Sequence, residues 1–435
     1  MSFIPKIFGT CDVLPEDHKY FTFLKKVYRH EFRKNGFRRI STPLFEPSET
    51  IKRALWEVCF KDTAYTFEDS TWLELSLRVD ASIGVMRAYI EWNLDTELQP
   101  IYLYHIDRYF RKNSLDIWSS KETYFIWAEV VWESDPIIDA QQIYMNYEAL
   151  NDIGLKGKFS IKINFLWNKK ELEKYSEELK NFYENKKHLL SDESLDNLKH
   201  NPLRLLSPKN DDEKILLQQA PSIIKFLKKD SKEYYSRVKE YLELLKIPFT
   251  EDHTLLHSFE YYNWFVWKID STNGGIIASG WRYDGLSMRL WHDDIVPASW
   301  FTVRVDGLIA SLKANDIALK NKDKIDLYFV QLWDEAKKVV LPLSLEARER
   351  GINTLSSLWT PAIKEQMLKA QRIWAKFVVI VGVMEARNWK FQVRNTEEGT
   401  QTEVPKEKLI DYIIEKIGKD SLDFYSPARD LVIWK

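Results

Sequence analysis

The chain has 435 residues, 45% of them apolar and 29% charged, which is more than one core ordinarily uses and enough for two. A formal net charge of −2 excludes a protein that holds nucleic acid by bulk electrostatics alone, so any such partner must meet a local basic patch. Two cysteines, Cys11 and Cys59, are too few for a disulfide framework or a thiolate metal site. The start, MSFIPKIFGTCDVLPED, lacks an apolar signal core, and the apolar run Phe377 to Val383 is far short of the roughly 20 residues a membrane span needs. A cytoplasmic protein without a membrane partner is expected.

In chain order, residues 15–36 read as a helix, with Pro15, Glu16 and Asp17 in its first turn, an apolar face of Phe21, Leu24, Val27, Tyr28 and Phe32, and Gly36 as its stop. FRRISTPLFEP follows as one strand, with Pro43 at an edge or interface. Strand-like runs recur at LELSLRVD (73–80), PIYLYHIDRYF (100–110) and YFIWAEVVW (124–132), close enough together for an antiparallel sheet. Residues 168–246 turn to dense Lys/Glu with helical periodicity and predict a solvated helical insertion. Strands return at SFEYYNWFVWKI and GGIIASGWRY (274–283). KANDIALKNKDK (313–324) reads as a linker, after which strands and helices alternate to the end, as in a separate small α/β domain.

Arg111, in DRYFRKN, leads into a polar loop between two strands. Such a hairpin can hold a nucleoside triphosphate by an arginine fork, although an arginine on a strand also serves as a solvated or paired residue. In ASGWRYDGL, small residues beside Arg282, Tyr283 and Asp284 let a ligand approach the backbone, and a simple turn fits the same letters. Glu129 and Glu260-Tyr261-Tyr262 read equally as core residues or as ligand contacts. His253 and His257 stand four apart, but Thr254 and the strand-like run after them argue against the helix that would aim both at a metal.

Glycine is scarce, 14 residues, while tryptophan reaches 17. Trp118, Trp132, Trp264, Trp281 and Trp300 stand where a phosphate-binding fold would place glycine, and Trp72, Trp127, Trp333, Trp359, Trp374 and Trp389 fall at apparent turns or element ends. An indole there brings strain where φ > 0 is required and fills the cleft. The pattern predicts UGA codons, read as glycine in some bacterial lineages and as tryptophan in others.

Taken in order, FGTCDVLPED, FRRISTPLFEP, LSLRVD, the loop after FRKN, HNPLRLLSPKND, LLHSFEYYNWFVW, ASGWRYDGL and PASWFTVRVDGLI resemble the landmarks of histidyl-tRNA synthetase, a class II aminoacyl-tRNA synthetase of bacterial type. The resemblance implies an α+β fold: a catalytic domain over 1–320 built on a six-stranded antiparallel sheet, the insertion 168–246 within it, an anticodon-binding-like α/β domain over 325–420 and a tail over 421–435. It implies a homodimer formed through the Pro43 region. It also implies ATP with Mg2+, histidine and tRNA as substrates, histidyl-adenylate as the intermediate, and no resident metal. By the same resemblance Arg111 matches the α-phosphate arginine and Asn113 an ATP-binding position. Asp80 and Ser82 match positions near the amino-acid site, and Glu129, Tyr262 and Tyr283 match groups around the substrate histidine.

The chain departs from that pattern at four places. The family's second catalytic arginine falls on His257, its last class-defining arginine on Gly307, a pocket glutamine on Phe125, and a charged pair on Asn113 and Ser114. These losses predict very slow or absent histidine-driven ATP–pyrophosphate exchange unless neighbouring residues such as Lys112 or Arg304 supply the missing charge. They also leave open a catalytically inactive paralogue that binds histidine or tRNA in a regulatory role. The C-terminal α/β segment argues against one such regulator, the subunit of ATP phosphoribosyltransferase that lacks it.

Overall fold

Every fourth position of the first helix, Pro15–Lys34, is apolar, and Tyr20, Leu24, Tyr28 and Phe32 are its buried stripe. Gly36 ends it at φ +77°, where the Phe37 amide donates back to the Phe32 carbonyl at 2.8 Å, the left-handed close that glycine adopts without a Cβ penalty. The computed structural model describes residues 4–112, 120–166, 169–206, 208–221, 223–255, 261–319, 325–356, 362–419 and 422. It divides into two units, Met1–Leu319 and Lys320–Lys435.

The first unit carries β1 (Arg38–Arg39), β2 (Phe45–Pro47), β3 (Thr66–Glu68), β4 (Glu74–Leu77), β5 (Ile101–Phe110), β6 (Glu122–Val131), β7 (Phe159–Leu166), β8 (Thr250–Glu251), β9 (Asn263–Ser271), β10 (Ile276–Arg282) and β11 (Ala298–Arg304). Its main sheet runs β1-β5-β6-β11-β10-β9-β7-β8. The six inner strands pair antiparallel throughout, and a two-residue parallel strand closes each edge. The expected six-stranded antiparallel sheet is therefore present, widened to eight strands.

FRRISTPLFEP is not one strand. Its first part, β1, joins the main sheet beside β5, while β2 pairs with β4 in a separate three-stranded sheet β2-β4-β3. Pro43 lies between them, lacking the N–H that would continue a ladder. LELSLRVD likewise stops pairing at Leu77, and a helix Ala81–Glu91 absent from the sequence reading begins after it. The 274–283 run starts pairing only at Ile276, because Gly274 and Gly275 turn the chain at φ +87° and +93°. Lys313 and Ala314, read as linker, end the helix Val305–Ala314, and Lys313 pairs with Asp17.

One sheet face packs against Pro15–Lys34, a helix Ile137–Leu150 that the sequence reading missed, and the helical insertion, whose longest described helices are Lys169–Glu184 and Lys229–Leu244. The opposite face packs a second cluster with Ala81–Glu91, Tyr261, Tyr262, Tyr283 and Trp300. In the second unit β12 (Leu327–Gln331), β13 (Thr354–Ser356), β14 (Phe377–Val381), β15 (Lys390–Asn395) and β16 (Gln401–Pro405) form a sheet ordered β13-β12-β14-β15-β16. Its first three strands are parallel and the last two antiparallel. Helices Trp333–Glu349, Ile363–Arg372 and Lys406–Ile417 accompany it, with a short helix Val383–Asn388 that the sequence did not suggest.

Candidate active site

Asp80 caps the Ala81–Glu91 helix, its Oδ1 accepting from the Ser82 amide at 2.8 Å, an arrangement that satisfies an orphan helix donor and fixes the carboxylate. Its Oδ2 accepts the Tyr262 hydroxyl at 2.5 Å. Two residues on, Ser82 donates to Glu129 Oε1 at 3.2 Å, and Tyr283 donates to Glu129 Oε2. Asp80, Ser82, Glu129, Tyr262 and Tyr283 thus form one connected network. All five are buried, Asp80 at 2% and Glu129 at 0% exposure.

Arg111 lies at the rim of this network. Its Nε donates to the Val79 carbonyl at 3.1 Å, and its charge acts on Asp80 and on Tyr262. Burial drives Glu129 up to about 8, and the neighbouring Asp80 charge adds to the rise while the Tyr283 and Ser82 hydroxyls oppose it. Burial also raises Asp80, against the pull of the Tyr262 hydroxyl and Arg111. Two buried acids beside one cation make a site that stabilises protonated or cationic donors and rejects a second bare anion.

Arg282 does not belong to this site. Side chains alternate across a strand, so Arg282 leaves β10 on the face opposite Trp281 and Tyr283. There it pairs with Asp139 at 3.3 Å and donates to the Tyr234 hydroxyl of the insertion at 3.0 Å and to the Glu133 carbonyl. Asp284 Oδ1 accepts the Ala298 amide and serves the turn. Gly307, where the resemblance places an arginine, sits against β10: a Cβ there would meet the Ile276 carbonyl oxygen at 2.4 Å. No side chain fits. Asn113, Ser114, Trp118, His257 and Glu260 lie outside the described residues.

Three further groups lie near the network, of which His105 escaped the sequence reading while Tyr261 was read as core or ligand contact and Arg304 as a substitute charge. His105 is buried, bonded to the Tyr109 hydroxyl at 2.7 Å, and burial with the Arg78 charge lowers it to about 3, which keeps the ring neutral. Tyr261 packs edge-on to Tyr262 with centroids 4.6 Å apart. Arg304 leaves β11 in step with Trp300, in register with Phe125. Its Nη2 meets Asp306 at 3.1 Å, and its buried Nε finds no partner among the described residues. For His105 and Tyr109 the signal was their i, i+4 spacing in PIYLYHIDRYF, which places both on one face of a strand.

Above the carboxylates the cleft is filled by indoles. Trp127 stacks on Trp300 with centroids 4.1 Å apart, Trp281 lies 4.8 Å from Trp300, and Trp281 lies nearly parallel to Tyr262 at 5.4 Å. Trp127 is therefore not at a turn: it sits inside β6.

A sheet of six antiparallel strands with two buried acids over one face and an arginine at their rim, followed by a separate α/β unit, is the architecture of a class II aminoacyl-tRNA synthetase. The histidyl-tRNA synthetase family model matches residues 9–308, and the anticodon binding domain model matches residues 317–416. The chain is 30% identical over 418 residues to the histidine–tRNA ligase of Geobacillus sp. (strain WCH70), spanning 94% of this chain and 98% of that protein. Apo histidyl-tRNA synthetase of S. aureus superposes with a TM-score of 0.75 at 27% identity, over 94% of this chain and all of the other. A protein of Bacillus halodurans described as an ATP phosphoribosyltransferase regulatory subunit/histidyl-tRNA synthetase shares the fold, with a TM-score of 0.62 at 19% identity over 85% of this chain and 97% of that one. The chain belongs to the histidyl-tRNA synthetase family.

Proposed function

We propose that the chain is a histidine–tRNA ligase, in which the histidine carboxylate attacks the α-phosphate of ATP, releasing pyrophosphate and giving histidyl-adenylate, and the aminoacyl group then passes to the 3′ end of tRNA with release of AMP. The observation that carries this reading is the single network of Asp80, Ser82, Glu129, Tyr262 and Tyr283 with Arg111 at its rim. Asp80 and Glu129 accept the N–H donors of an amino acid bearing an ammonium and an imidazole, and the two tyrosine hydroxyls hold those acids in place. Arg111 neutralises charge building on the α-phosphate as the carboxylate of histidine attacks it, so catalysis is positioning and charge stabilisation. Asn113 is the further ATP contact in this reading. Mg2+ arrives with the nucleotide.

Gly307 supplies no charge, and Arg304, three residues earlier on the cleft face of β11, is the cation that takes its place. The C-terminal unit, matched by the anticodon binding domain model, is the tRNA-reading part. A homodimer forms through the segment around Pro43, where Leu44 and Phe45 are exposed and Phe45 packs edge-on to the exposed Phe67 at 6.1 Å, apolar surface that a second copy would cover. The two free cysteines suit a reducing cytoplasm.

Histidine-dependent exchange of pyrophosphate into ATP tests the reading. In a chain whose cleft is free of the indoles the expected outcome is exchange with histidine and with no other amino acid, falling about 100- to 1000-fold in Arg111→Ala, the usual loss when a transition-state donor is removed. Histidine or tRNA binding without exchange, in a chain whose cleft is open, would replace it with the regulatory reading.

A further inference from the structure

A non-glycine residue rarely takes a positive φ, and for a bulky side chain it is a genuine outlier. Ten described non-glycine residues do so here, and seven of them are tryptophan: Trp72, Trp132, Trp264, Trp291, Trp333, Trp374 and Trp389, at φ between 53° and 73°. The chain holds 23 phenylalanines and 21 tyrosines, residues of comparable bulk, and among the described residues none has a positive φ. A preference of aromatic rings for such backbone would not single out one of them.

The local hydrogen bonds name the residue these positions take. The Gly36 amide donates to Arg33 and the next amide to Phe32 (3.2 and 2.8 Å), closing the first helix. Gly351 at φ +81° closes Trp333–Glu349 through Arg348 and Ala347 (both 2.9 Å). Trp374 at φ +53° closes Ile363–Arg372 in the same way, through Gln371 and Ala370 (3.1 and 3.0 Å). This is the left-handed helix close in which glycine is the usual residue. Lys246 and Asp316 close two further helices likewise, so the motif tolerates a side chain at a cost. Trp72 occupies the left-handed position of the β3–β4 hairpin, its amide donating to Asp69 at 3.2 Å, again a glycine position. Packing does not repay the strain, since Trp72 and Trp374 are 84% and 82% exposed.

Other tryptophans of the first unit, Trp267, Trp281 and Trp300, are not at positive φ but fill space in its core. The indole N–H groups of Trp267, Trp281 and Trp300 are buried with no partner among the described residues, a cost native cores rarely carry. The Trp267 ring lies over Gly280, where an added Cβ would come within 2.5 Å of it.

We infer that these tryptophan positions are glycine positions of the fold, encoded by UGA in a cell that reads the triplet as glycine. With glycine at 127, 281 and 300 the cleft above Asp80 and Glu129 opens, and the stack of flat rings there gives way to the planar heterocycles of adenine and imidazole. This second step rests on the ligase reading, whereas the codon assignment does not. The strained positions lie in both units, so the cause acts on one kind of residue wherever it stands and not on the site.

Three measurements test the inference. The gene should carry UGA at codons 72, 132, 264, 291, 333, 374 and 389, and peptide masses of the protein purified from its own cells should show glycine there; UGG codons or tryptophan masses overturn it. In the full recombinant chain, Trp374→Gly and Trp72→Gly should raise the unfolding midpoint above that of Trp374→Ala and Trp72→Ala. Alanine removes the ring but keeps the Cβ, so equal gains from both would show that backbone strain is not the cause. Finally, the chain with glycine at all the tryptophan positions should bind ATP and catalyse histidine-dependent exchange, whereas the tryptophan chain should not. Glycine masses without exchange would sink the ligase reading and leave the codon assignment standing; equal ATP binding by both chains would refute the opened cleft.

Discussion

The two faces of the main sheet bury charge in opposite ways. On the insertion side, Arg282 meets Asp139 directly and shares it with Tyr234, so each buried charge has its counterpart and the polar groups pin the insertion to the sheet. On the cleft side, Asp80 and Glu129 face hydroxyls, with Arg111 only at the rim; burial raises the carboxyls of both faces, Asp139 included, so the difference lies in the partners. Polar groups on the first face serve assembly, while the carboxyls on the second are kept for donors that arrive with a substrate. A buried ion pair and a carboxyl held by hydroxyls respond differently when one member is removed, and this makes the contrast measurable.

The largest effect is expected on the insertion face. Asp139→Ala takes the closest carboxylate from the buried Arg282 guanidinium, leaving it the Tyr234 hydroxyl, the Glu133 carbonyl and Asp284 at 3.7 Å, and the expected loss is about 3 kcal/mol of unfolding free energy, read by denaturant titration. A loss below about 1 kcal/mol would show that the pair is hydrated and the two faces alike.

Glu129→Gln should do the reverse, keeping stability and losing histidine. An unfolded glutamate releases its proton near about 4.3, whereas folded Glu129 keeps it up to about 8. Between those values the folded state holds the extra proton. This contribution is full below the lower pKa and is lost as pH rises toward the upper one, at no more than about 1.4 kcal/mol per pH unit. The glutamine variant should lose less stability over that window than the parent chain and bind histidine at least tenfold more weakly. An identical pH slope in both chains would place Glu129 among ordinary carboxylates.

Smallest is Tyr262→Phe, which removes one hydroxyl from Asp80 without changing shape. A loss of about 1–2 kcal/mol is expected from the newly unsatisfied acceptor, together with a higher Asp80 pKa by carboxyl NMR, since that hydroxyl now holds it down. An unchanged Asp80 titration would mean that the bond does not form in solution.

Much of the frame was legible in the letters. Pro15, the acids after it, the stripe through Phe32 and Gly36 mark the first helix to within two residues of Pro15–Lys34, because caps and a 3.6-residue period are local properties. The long strands β5 and β6 are local for the same reason, being ten residues each and rich in apolar, β-branched and aromatic letters. Short elements were not legible. β1 and β8 have two residues each, and such pairs exist only because a neighbouring strand offers free hydrogen-bonding groups.

The sequence by itself determined which residues are available: the carboxylates and tyrosines of the candidate site, Arg111 before its polar loop, and tryptophan where glycine would stand. Tertiary structure alone decided how they are used. Arg282 and Tyr283 are adjacent letters, yet the strand's two-residue period sends one to the insertion and the other to Glu129. Gly307 looks like a lost arginine in sequence, but the β10 backbone leaves no room there for any side chain. Whether a buried acid becomes a structural ion or a poised one depends on which group the opposite element presents, and that is set by long-range pairing.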